Sequence, residues 1–270
     1  MSRLIVLAVL LAWLGSAFAA EPVLTVRFGD QTRRFTAAEL LARPDAQTIT
    51  LEDKDAYKRP MTYRAVPLLD LLPSSDGRFD TLEVRATDGF AAQLPMALLR
   101  RAAQGGAVPW LAIEPPDDPW PILPGKNMTA GPFYVVWQNP ERSGVVPEQW
   151  PYAVAELEGV ESPAHRWPQL RLDASVPADA PARRGQEVFA TFCLACHRLD
   201  GGGAATMGPD LGRPMSPTQY LTEPGLRALI RDPKSVRTWP EQRMPGFDQA
   251  RLPEADLDAV IAYLRAKAAK

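Results

Sequence analysis

The chain has 270 residues, 30 of them Lys or Arg and 32 Asp or Glu, for a formal net charge of −2, and it holds only two cysteines and two histidines. That balance is not a nucleic-acid footprint, and so few histidines leave too few ligands for a metal centre built from imidazoles. A chain of this length predicts one or two domains.

Met1-Ser-Arg3 is a short basic start, and Leu4–Leu14 is an apolar run shorter than the ~20 residues a spanning helix needs. Ala17-Phe18-Ala19 has the small-residue form of a signal peptidase site. Residues 1–19 are therefore expected to be a signal peptide, removed on export and leaving no stable membrane span. An uncleaved N-terminal anchor is the alternative. From residue 20 to 171 short strands and turns dominate: Val23–Phe28 and Thr81–Ala86 alternate, and Phe133–Trp137 is a continuous apolar run. Phe35–Leu41 and Leu94–Arg101 read as short helices, so this region is predicted to be an α+β domain. Its tryptophans, Trp110, Trp120, Trp137, Trp150 and Trp167, sit among prolines and read either as core and loop packing or as an aromatic docking face or pocket.

Residues 172–182 hold few large apolar side chains and read as a semi-extended linker. Beyond it, Arg183–Phe192, Glu223–Arg231 and Glu254–Lys267 are predicted helices, with Pro224 in the first turn of the second and Pro253 just ahead of the third. Leu257, Val260, Ile261 and Leu264 form an apolar stripe at helical spacing on the last helix. That stripe is expected to pack on the first helix, where Gly185 would let Tyr263 approach closely. Residues 183–270 are thus predicted to be all-α. The two regions differ in charge: 16 Lys/Arg against 22 Asp/Glu in residues 20–182, and 13 against 10 in residues 183–270.

Cys193-Leu-Ala-Cys196-His197 carries the chemistry. Cys-X-X-Cys-His is the spacing that ties a haem to protein through two thioether bonds and supplies its proximal histidine. A thioredoxin-like dithiol would follow a strand in a βαβ unit, yet a helix is predicted here. Zinc needs about four ligands, and His165 is the only other histidine. A plain disulfide is the remaining alternative. The haem reading places the protein in the periplasm, where export and covalent haem attachment meet.

Residues 183–270 resemble a class I monohaem cytochrome c. The resemblance rests on Cys193, Cys196 and His197, on Gly208-Pro209-Asp210-Leu211, on Arg243-Met244-Pro245-Gly246-Phe247 and on Ala262-Tyr263-Leu264. It implies one covalent haem c, with the carbonyl of Pro209 accepting a hydrogen bond from His197. With histidine nearly absent, a methionine is the natural sixth ligand, and Met207, Met215 and Met244 are available. Met244 lies 47 residues beyond His197 in a proline-bounded loop, where a Met-Pro pair carries the sulfur in that family. Met207 and Met215 read as core filling. Arg237 and Trp239 are placed to bond haem propionates, and His165 reads as a solvated histidine outside the haem region.

The upstream domain is similar, through Tyr63–Leu72, Thr87-Asp88-Gly89-Phe90 and Leu94-Pro95, to the molybdopterin-binding fold of the sulfite oxidase superfamily. That family holds molybdenum by a cysteine thiolate, and residues 20–182 contain no cysteine. The resemblance therefore implies a degenerate domain kept for docking. Together these readings predict a periplasmic carrier of single electrons between a dehydrogenase or other redox protein and an acceptor, with no catalytic residues of its own. The alternatives are a haem subunit of a larger oxidoreductase, or a haem enzyme or sensor whose sixth ligand is displaceable.

Overall fold

A computed structural model describes residues 21–74 and 77–269. The expected signal peptide, residues 1–19, lies outside the described residues. No helix among the described residues is long and apolar enough to cross a membrane.

The upstream region folds as two sheets. Strands β1 (Val23–Phe28) and β2 (Gln31–Thr36) form a hairpin, and helix α1 (Ala37–Leu41) follows. Thr36 caps α1 with Glu39 in a reciprocal capping box, so Phe35 and Thr36, expected in the helix, finish the strand instead. Strands β3 (Gln47–Asp53), β4 (Arg59–Pro67), β5 (Thr81–Ala86) and β6 (Ala91–Pro95) come next, and then helix α2 (Met96–Leu99). The helix expected over Leu94–Arg101 shrinks because Leu94 and Pro95 pair with Leu82 and Thr81. Strands β7 (Val108–Ile113), β8 (Phe133–Gln138) and β9 (Val154–Val160) complete the region. The five-stranded sheet runs β2-β1-β9-β5-β6, with β1 parallel to β9, and the four-stranded sheet runs β3-β4-β7-β8.

Several of these strands lack the alternation that marks a strand in sequence, and cross-strand chemistry supplies what the pattern withholds. Strand β9 carries Glu156 and Glu158, whose charges are met by neighbours: Arg27 on β1 lies 2.8 Å from Glu156, and Arg85 on β5 lies 3.2 Å from Glu156 and 2.9 Å from Glu158. Asp53, fully buried at the end of β3, accepts from the N–H groups of Ala56 and Tyr57 and from the Tyr63 hydroxyl at 2.7 Å. It holds the β3–β4 turn as a polar core cluster in which every bond is internal. Trp110, Trp120, Trp137 and Trp150 are all buried in this core, as the packing reading expects, so those four form no docking face.

Downstream the regular elements are helices: α3 (Pro163–Arg166), α4 (Pro181–Val188), α5 (Pro217–Tyr220), α6 (Glu223–Arg231), α7 (Pro233–Val236) and α8 (Glu254–Ala268). A second core cluster gathers Leu170, Leu172, Val188, Phe189, Phe192 and the stripe of α8. Gly185 is needed at the α4–α8 crossing: a Cβ there would stand 1.9 Å from the carbonyl oxygen of Ala259 and 2.7 Å from Cβ of Tyr263. Phe189 and Tyr263 pack ring on ring, 5.4 Å apart. The stretch read as a linker is tied to this core. Leu172 is buried and donates its N–H to Gln186, and Arg183 donates to the carbonyls of Asp173 and Val176. Tyr263 reaches back to donate to the Leu170 carbonyl at 2.6 Å.

The two regions meet at the β5–β6 turn. Ala91 N–H donates to Ala195 O at 2.8 Å, and Thr206 N–H donates to Gly89 O at 3.0 Å. Gly89 sits at φ +91°, and a Cβ on it would come 2.3 Å from Thr206 Oγ1. The turn can lie flat on the downstream domain only with glycine at its tip.

Candidate functional site

Helix α4 does not run unbroken to the cysteines. At Phe189–Cys193 it widens into a π turn, where Leu194 N–H bonds the Phe189 carbonyl at 2.9 Å. Such π turns concentrate at functional sites. Cys196 and His197 both donate their N–H to the Cys193 carbonyl, at 3.1 and 2.9 Å. Leu194 and Ala195 are buried as anchors, while Cys193 and Cys196 stay partly open. The backbone thus bends so that both sulfurs and the imidazole line one cavity.

His197 Nδ1 lies 2.8 Å from the carbonyl oxygen of Pro209. A carbonyl can only accept, so Nδ1 carries the proton and Nε2 is left as the free ligand nitrogen. Burial lowers the imidazole below its usual range, against the pull of the Pro209 carbonyl, which keeps the ring in the neutral form a metal requires. The segment that brings Pro209 there is held from both ends. Gly208 N–H donates to Cys196 O at 2.8 Å, and the Asp210 carboxylate accepts the N–H groups of Asp200, Gly201 and Gly212. Burial works against that carboxylate, but the three donors outweigh it and hold it below its ordinary value. Gly208 is itself a packing requirement, since a Cβ would stand 2.6 Å from the imidazole.

The cavity has a volume of about 900 Å³. Cys193, Cys196 and His197 form one part of its wall, Phe192, Leu226, Ile230, Val260 and Leu264 an apolar part, and Met244 lies in the same lining. The loop bearing Met244 is pinned just beyond it: Phe247 N–H donates to Ile230 O at 3.0 Å, and Arg231 Nη1 donates to Phe247 O at 2.9 Å. A Cβ on Gly246 would meet the Arg231 carbonyl at 2.6 Å, so that loop crosses α6 at close range. Met207 also lines the cavity, but beside the cysteines, with its Sδ 3.7 Å from Cys196 Sγ. Met215 is 46% exposed and lies outside this lining. Arg237 and Trp239 both reach the cavity, the guanidinium carbon 5.8 Å from the indole centroid. His165, on α3, is exposed and does not line it.

The upstream domain supplies a further part of the wall, with Asp55, Asp88, Phe90, Glu148, Trp150 and Tyr152; Trp150 and the Thr87-Asp88-Gly89-Phe90 motif stand out in the sequence, whereas Asp55, Glu148 and Tyr152 do not. Glu148 is buried and ion-paired with Arg251 of the downstream domain.

These surroundings separate the competing chemistries of the motif. Burial, reinforced by the negative charge of Glu148, pushes both thiols up to about 12. A redox dithiol needs the opposite shift. No group of three or more His, Cys, Asp or Glu side chains able to hold a metal ion occurs among the described residues, so zinc has no donor set. Two thiols beside an oriented neutral imidazole, with a thioether in the same apolar cavity, are the donor set a haem takes.

No curated protein matches the chain, and no comparison bears out the likeness of the upstream domain to the sulfite oxidase fold. Residues 182–267 match the model of the cytochrome c family, which supports a cytochrome c domain in the C-terminal third of the chain; such a domain implies covalently bound haem c and supports electron transfer.

Proposed function

We propose that this chain is an exported, periplasmic cytochrome that carries single electrons between a dehydrogenase or other redox protein and a downstream acceptor. One haem c would be bound through Cys193 and Cys196, with His197 and Met244 as axial ligands. The observation that carries this reading is the single cavity lined by both thiols, the Pro209-oriented imidazole and the Met244 thioether. When bound, the haem supplies a one-electron couple at its iron. The protein's part is to hold that couple still. His197 is fixed in tautomer and direction by Pro209. Met244, on a pinned loop in the same lining, would supply the second protein ligand to the iron, so that no substrate need bind or leave as the charge changes. Apolar side chains make up much of the lining, and ligand identity and burial would set the potential.

Mass spectrometry of the chain made in cells able to attach haem is expected to show one added haem. An unmodified mass would end this reading.

The upstream domain is read as the docking element for the redox partner. Its acidic balance beside a basic haem domain supports this, through electrostatic steering that weakens with salt. A segment starting at residue 168, which keeps Leu170 and Leu172 in their core, is expected to exchange electrons with small mediators. It is expected to do so more slowly than the full chain with the native partner. Equal rates with that partner, or substrate turnover by residues 20–167 alone, would remove the docking role.

A further inference from the structure

Glu148 stands in a place where a carboxylate is costly. It sits on the short turn Pro147–Gln149 of the upstream domain and is 5% exposed. One oxygen accepts from Arg251 of the cytochrome domain, across the domain boundary. Its other oxygen, Oε2, is buried with no hydrogen-bond partner, as is Arg251 Nε. The pair lines the haem cavity on the side of the cysteines, both of which feel the charge of Glu148.

We propose that Glu148 is the residue through which the upstream domain sets the electron affinity of the haem, taking up a proton on Oε2 when the haem accepts an electron. The proposal rests on the reading of Cys193, Cys196 and His197 as a haem site. A haem carries one more positive charge oxidised than reduced. A carboxylate held in the same low-dielectric cavity favours the oxidised form and is itself favoured by it. Reduction removes that positive charge and leaves Glu148 buried with Arg251 as its one bonded cation. The orphaned Oε2 is where a proton relieves the excess. One electron enters from the donor, one proton comes from water, and reoxidation returns both. Burial already raises the Glu148 carboxyl despite Arg251.

The other charged groups lining this cavity are Asp55, Lys58, Asp88 and Lys126 on the upstream side and Arg237, Glu241 and Arg243 on the downstream side, with the Tyr152 phenol and the His197 imidazole among them. Among these, Asp55 is the competing proton acceptor, since burial pushes it up to about 6 against the pull of Arg251. Cys193 and Cys196 would be thioethers in the haem-bound chain and would not titrate.

The test is a potentiometric titration of the full haem-bearing chain from acid to alkaline pH, beside Glu148→Gln and Asp55→Asn. The wild-type midpoint potential is expected to fall as pH rises through one titration and to level on either side. E148Q is expected to have a higher potential at neutral pH and to lose that slope, with an unchanged haem mass, while D55N keeps the slope with its midpoint displaced. Reduced-minus-oxidised infrared spectra of the wild-type chain provide a readout independent of any variant. A protonated carboxyl C=O band should appear on reduction. A pH-independent wild-type potential, a slope that survives in E148Q or vanishes in D55N, or no carboxyl band on reduction would each overturn the proposal. A chain without haem would overturn the underlying reading and this proposal with it. A haem-bearing chain with any of the other outcomes would overturn this proposal alone.

Discussion

Gly185→Ala is expected to destabilise the cytochrome domain strongly by overfilling the α4–α8 crossing. The added carbon would lie 1.9 Å from a backbone oxygen of α8, and backbone cannot swing aside as the end of a side chain can. Helices α4 and α8 would have to separate, lifting Phe189 from Tyr263 and straining the Tyr263 bond to Leu170. Overpacking typically costs about 1–3 kcal/mol, and a clash with backbone belongs at the upper end of that range. For a domain of this size that is a fall in Tm on the order of 10–20 °C. Thermal unfolding followed in the haem absorption band would measure it, and a Tm within a degree or two of wild type would show that the crossing is looser than described.

Met244→Ala should have the largest effect on the haem itself. The loop around it is held by Phe247, Gly246 and Arg231 rather than by Met244, so removing the thioether should open a coordination position without unfolding the loop. Cyanide and imidazole are then expected to bind at least about tenfold more tightly than to the wild-type chain, equivalent to ~1.4 kcal/mol no longer needed to displace the sulfur. Potential should fall, because a Met/His pair raises it. Met215→Ala, outside the cavity, is the control and should leave ligand affinity unchanged. If Met207→Ala instead opens the iron, the thioether beside Cys196 is the ligand and the assignment moves.

Much of the cytochrome domain was legible in one dimension because its chemistry is local. Cys193, Cys196 and His197 lie within five residues, and helix periodicity placed α6 over Glu223–Arg231 and marked Gly185 and the α8 stripe as a contact. The upstream domain was harder to read. Strand β9 pairs with β1, from the opposite end of the domain, and hides its glutamates behind arginines of two other strands. In strands β4 and β7 prolines interrupt the pattern, and pairing decides the state.

What the sequence alone determined is the set of reactive residues: a Cys-X-X-Cys-His motif with the spacing of haem attachment and a shortage of any other histidine, both set by residue type and short spacing. Which methionines line the cavity, and what else walls it, was decided by tertiary structure. Met244 and Met207 line it, while Met215 stays 46% exposed outside that lining. Glu148 and Arg251 lie 103 positions apart, and neither signals a partner. They meet because a glycine turn at residue 89 lets the upstream sheet lie flat against the haem segment, and burial then makes an ordinary surface pair into part of the site.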